Sequence, residues 1–65
     1  MDADQQELVG QLGTQIGMIM EDASVMALKL GQWKGDEQRR ALADVQLAAA
    51  KINALADAAA ALVTE

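Results

Sequence analysis

Apolar residues recur at Leu8, Leu12, Ile16, Ile19, Ala23, Met26, Leu30 and Trp33, separated by four or three positions. That spacing keeps one face of an α-helix apolar, and from Leu12 onward it settles into a heptad seam. Val9, Met20 and Ala27 widen the stripe to roughly 140°, the breadth of a bundle helix facing a core rather than of a narrow two-stranded coil. A second helical pattern runs through Ala41, Leu42, Val45, Ala48, Ala49, Ile52, Leu55, Ala56, Ala59, Leu62 and Val63. It is equally broad but dominated by alanine.

Between the two patterns lies Gly31-Gln32-Trp33-Lys34-Gly35-Asp36, which holds the sequence's single tryptophan. Gly31 can end the first helix as a left-handed cap, or the helix can run on to Gly35, since Trp33 continues the heptad. Asp36 suits the N-cap of the second helix, and Glu37 suits its first turn. A connection this short makes the helices antiparallel neighbours. The sequence therefore predicts an all-α fold: a two-helix antiparallel hairpin, with helix 1 at about 4–31, a turn at 31–36 and helix 2 at about 36–63. Its seam comprises Leu12, Ile16, Ile19, Met26, Leu30 and Trp33 on one arm and Leu42, Val45, Ile52, Leu55 and Leu62 on the other.

Length bears on this picture. A chain of 65 residues buries only about 60% of the surface it exposes when unfolded, so small folds usually gain stability from a disulfide, a metal or association. The sequence has neither cysteine nor histidine, which leaves association. Each arm would be near 38 Å long, and a lone hairpin of that length shows both flanks of its seam to water. Two hairpins pairing into a four-helix bundle would cover them, so a homodimer is expected.

Two features stand outside the seam. Gly10, Gly17 and Gly31 recur at heptad spacing, with Ser24 in the missing place and Gly13 beside them. Three glycines within a helix cost roughly 3 kcal/mol against alanine, a loss that close packing by a partner helix would offset. The bland alternative is a frayed first stretch in which glycine is tolerated. Met18 and Val25 lie one heptad apart on the face opposite the seam, with Leu28 to one side. Together they form a candidate surface for another protein, since methionine adapts to irregular contacts, although scattered exposed apolar residues are also ordinary. The back of helix 2 is nearly uncharged, through Ala43, Leu47, Ala50, Ala54, Ala58 and Ala61. That pattern reflects either helix propensity or a surface buried in an assembly.

Five Lys+Arg stand against ten Asp+Glu, a net charge of −5. Such a surface repels nucleic acid and anionic lipid and suits a protein partner with a basic surface. The uncharged run from Leu8 to Met20 is too short and polar to span a bilayer, and the acidic N-terminus is the reverse of a secretory leader. The expected location is cytoplasmic. No residue pattern points to catalysis or a cofactor. There is no His, Cys or Tyr, Ser24 has no base at a recognisable spacing, and the glycines lack the Lys-Ser/Thr of a phosphate loop. The carboxylate pairs match neither a di-metal bundle nor a calcium loop. Arg39-Arg40 has acidic neighbours in Asp36, Glu37 and Asp44 and suits intrahelical pairing, as Asp36 and Arg40 would at i,i+4.

Trp33-Lys34-Gly35 between two helices resembles the Trp-x-Gly turn of the small secreted helical hairpins of the WXG100 family. The resemblance implies a dimeric hairpin exported by a specialised secretion system. It covers three residues and the architecture; the chain is shorter than such proteins and has no tyrosine for their C-terminal export signal. The size and hairpin shape are also similar to those of small RNA-binding hairpin dimers, a use the acidic balance opposes. The function expected is therefore a non-enzymatic protein–protein interaction module, acting as adaptor or regulator. The alternatives are a WXG100-like secreted hairpin or a structural subunit of a larger complex.

Overall fold

The computed structural model describes residues 2–63; Met1, Thr64 and Glu65, at the ends of the expected 1–65 domain, lie outside the described residues. Two helices pack side by side as an antiparallel hairpin. Helix α1 spans Ala3–Lys29, a 3-10 turn follows at Leu30–Gln32, and helix α2 spans Gly35–Val63.

The start of α1 is fixed by side chains. The Asp2 carboxylate accepts the Gln5 N–H at 2.8 Å, and Gln5 Oε1 accepts the Asp2 N–H at 3.2 Å. This is a reciprocal capping box, and it satisfies two donors that a helix start leaves without partners. Thr14 donates its hydroxyl to the Gly10 carbonyl at 3.0 Å, and Gly10, Gly13 and Gly17 lie within α1.

The turn differs from the sequence reading at two residues. Gly31 lies inside the 3-10 turn, and the one glycine with positive φ is Gly35, at 62°. Trp33 is extended (φ −102°, ψ 154°), so the chain reverses between an extended tryptophan and a left-handed glycine. Asp36 consequently lies within the first turn of α2, where it pairs with Arg39 at 3.0 Å rather than with Arg40. The Leu30 carbonyl, left over at the end of α1, accepts the Trp33 N–H and Gln38 Nε2, each at 3.3 Å. The second of these bonds ties α2 back onto the turn. Gly35→Ala is expected to destabilise the hairpin by about 1 kcal/mol, because an L side chain is strained at that φ. Gly31→Ala is not expected to destabilise it, since a Cβ there meets nothing within 4 Å. Urea unfolding of the two variants checks the pair.

The half-buried positions of α1 are Gln5, Val9, Leu12, Ile16, Ile19, Ala23, Met26, Leu30 and, past its end, Trp33. Those of α2 are Gln38, Ala41, Val45, Ala48, Ile52, Leu55, Ala59 and Leu62, with Ala41 the one fully buried at 3% exposure. Both sets alternate three and four without a break, the a/d pattern of a two-stranded coil. The narrow seam corrects the expected broad one. One neighbouring helix can cover only a thin strip, so Leu8, Met20, Leu42 and Val63 remain exposed. Leu42 in particular, 45% exposed, flanks the seam, and its place within it belongs to Ala41. Likewise Val9 rather than Leu8 faces α2.

The hairpin measures 49 × 15 × 11 Å, with a radius of gyration of 15.0 Å, against about 11 Å for a compact chain of this length. It is one helix thick throughout, which is why so little of it is buried.

Candidate interaction surfaces

Heptad geometry gives the hairpin two flanks of different character. Asp22 of α1 and Asp44 and Lys51 of α2 line one groove together, above a floor of Ile19, Ala23, Met26, Val45 and Ala48. Small alanines on both helices keep that floor low between bulkier neighbours. Nearer the turn the same flank continues as a depression lined by Met26, Trp33, Glu37, Arg40, Ala41 and Asp44. Charge is concentrated along this side.

The opposite flank carries Met20 and Ala27 from α1 and Leu42, Ala49, Ala56 and Val63 from α2, all exposed. A shallow depression over Ala49, Ile52, Asn53 and Ala56 lies here. Gly10, Gly17 and Ser24 sit on the same side of α1, one position further round. A Cβ built on Gly10, Gly13 or Gly17 meets nothing within 4 Å. Inside one chain the glycines face away from α2, so α2 is not the partner helix that the close-packing expectation needs.

Met18, Val25 and Leu28 are 63%, 52% and 79% exposed. Met18 and Val25 share one line along α1, while Leu28 lies nearer the back of the helix. Leu47, which the sequence places on the nearly uncharged back of helix 2 and not with Met18 and Val25, is exposed and lines the charged groove. Its signal was present, as the one large apolar residue on an alanine-rich face. Leu47 stands on the same side of the hairpin as Met18 and Val25, so the outer patch draws on both helices.

Asp36 and Arg39 form a pair whose side chains are both almost wholly exposed, and such pairs contribute little to stability. Among the described residues no three carboxylates gather where a metal ion could sit. Helix α2 contains an 18-residue window of mean hydropathy 1.2, none of it buried in the hairpin, and by length and composition this helix could cross a membrane. Compared with models of known families, with curated proteins and with solved structures, the chain gives no match.

Proposed function

We propose that this chain is a non-enzymatic protein–protein interaction module, a small acidic hairpin that pairs with a second copy into a four-helix bundle and binds another protein through the side bearing Met18, Val25 and Leu47. The observation that carries the reading is the uncovered apolar surface: among the described residues only Ala41 is buried, while Met18, Val25, Leu28 and Leu47 stand open to solvent. Exposed apolar groups rimmed by charge are typical of protein contact sites. The net charge of −5 favours a basic partner surface and a cytoplasmic adaptor over a nucleic-acid binder.

Met18→Lys and Val25→Lys are expected to keep the helical circular dichroism of the parent and to lose the protein captured by it from the native host. Undiminished capture by both variants would make the outer patch inert.

A second reading takes support from the turn. Trp33, extended, and Gly35, left-handed, form the reversal between the two helices, where the Trp-x-Gly resemblance puts them. Under that reading the protein is exported, and it would be found in culture supernatant alongside a paralogous hairpin.

A further inference from the structure

The hairpin exposes 4926 Å², whereas a compact protein of 6.9 kDa exposes about 4000 Å², an excess of about 900 Å². A standard protein interface covers about 800 Å² on each partner. The uncovered surface of one chain is thus enough for one such interface, and the arrangement of charge indicates where it lies.

Every copy carries a net −5, so two copies repel wherever carboxylates meet. The flank of Asp22, Lys29, Glu37, Asp44 and Lys51 carries charges of both signs that docking would strip of water, and across the back of α1 Glu7 and Glu21 would bring like charges together. Among the described residues the flank of Met20, Ala27, Leu42, Ala49, Ala56 and Val63 has no acidic residue, and its only charges, Lys34 and Arg39, lie at the turn. Away from the turn its large apolar side chains are Met20, Leu42 and Val63, and the neighbouring Gly10 and Gly17 leave open space where a helix can come close.

We infer that this uncharged flank is where a second copy of the chain docks, through an isologous interface. The inference rests on the dimerisation proposed above and specifies its face. The seam then widens into a four-helix core, with Leu42 and Met20 covered by the partner. The charged groove and the Met18–Val25–Leu47 side face outward on each copy, so the dimer presents its binding surface twice. Two linked sites engage a repeated or multimeric target far more tightly than one.

The test compares the full chain with Ala49→Glu and Ala56→Glu on the docking flank and with Ala54→Glu on the other side of α2. Glutamate is a good helix former at each position. Light scattering on a dilution series should show a dimer for the parent and for Ala54→Glu, with the dissociation constant raised at least about tenfold by either flank variant. Because dissociation can also loosen the fold, Ala49→Cys and Ala54→Cys are labelled with a maleimide at concentrations where the parent is dimeric. Ala49→Cys should react several-fold more slowly than Ala54→Cys. A dimer that survives both flank variants, or equal labelling at the two positions, overturns the docking face and leaves dimerisation standing. A parent that is monomeric at every concentration overturns both. If the parent is monomeric but Ala49→Cys becomes protected on adding neutral phosphatidylcholine vesicles, lipid rather than a second copy covers the flank, and the proposal fails.

Discussion

Ala41→Asp is expected to abolish the folded hairpin, whereas Leu42→Asp, one residue on, leaves it folded. Ranked by side chain alone the order would be reversed, since leucine has far more apolar surface to lose. Position decides otherwise. Ala41 is 3% exposed and Leu42 is 45% exposed. A carboxylate at Ala41 would have to be buried without a partner, at a cost of several kcal/mol. A chain of 65 residues has a total stability of about 3–10 kcal/mol at typical values, so that one change consumes most or all of it. At Leu42 the new carboxylate stays hydrated in the single hairpin, and its cost falls on the proposed pairing of two copies. Helical circular dichroism at high dilution, with urea titration, separates the two outcomes. Loss of structure in Leu42→Asp with Ala41→Asp still folded would mean that the register of α2 is wrong by one residue.

The second large effect lies at mid-length. In an antiparallel coil the a positions of one helix pair with the d positions of the other, which brings Ile19 level with Ile52. Both are half-buried, and replacing either by alanine is expected to cost about 2 kcal/mol, near the low end for such truncations. The double variant should cost measurably less than the sum of the singles, because the first truncation already removes contacts that the second would have lost. Strict additivity in a double-mutant cycle would place the two residues in different layers.

Much of the fold was legible because heptad spacing depends only on sequence distance. The alternation through Leu12, Ile16, Ile19, Met26 and Leu30 predicts a helix and its inward face together, and the short turn then leaves an antiparallel hairpin. Two things were not legible. Which glycine turns left-handed depends on where the 3-10 turn ends; Gly31 and Gly35 are equally permissive, and only the folded backbone selects Gly35. Hydrophobicity also identifies a wide stripe without saying how much of it one partner helix covers. Leu42 therefore stands out in the sequence while Ala41, small but on the strict heptad with Val45 and Ala48, takes the buried place. For the interaction surfaces the sequence displays Met18, Val25 and the glycine edge as separate oddities. The folded chain sorts them onto opposite flanks, one charged and one not, and adds Leu47 to the first.

We propose above that a hairpin one helix thick completes its core with a second copy. Sedimentation equilibrium of the unmodified chain, from micromolar to millimolar concentration, tests it most directly. A reversible rise to twice the chain mass of 6.9 kDa, with no larger species, is expected. A single species of 6.9 kDa that stays helical and unfolds cooperatively across the whole range would contradict it.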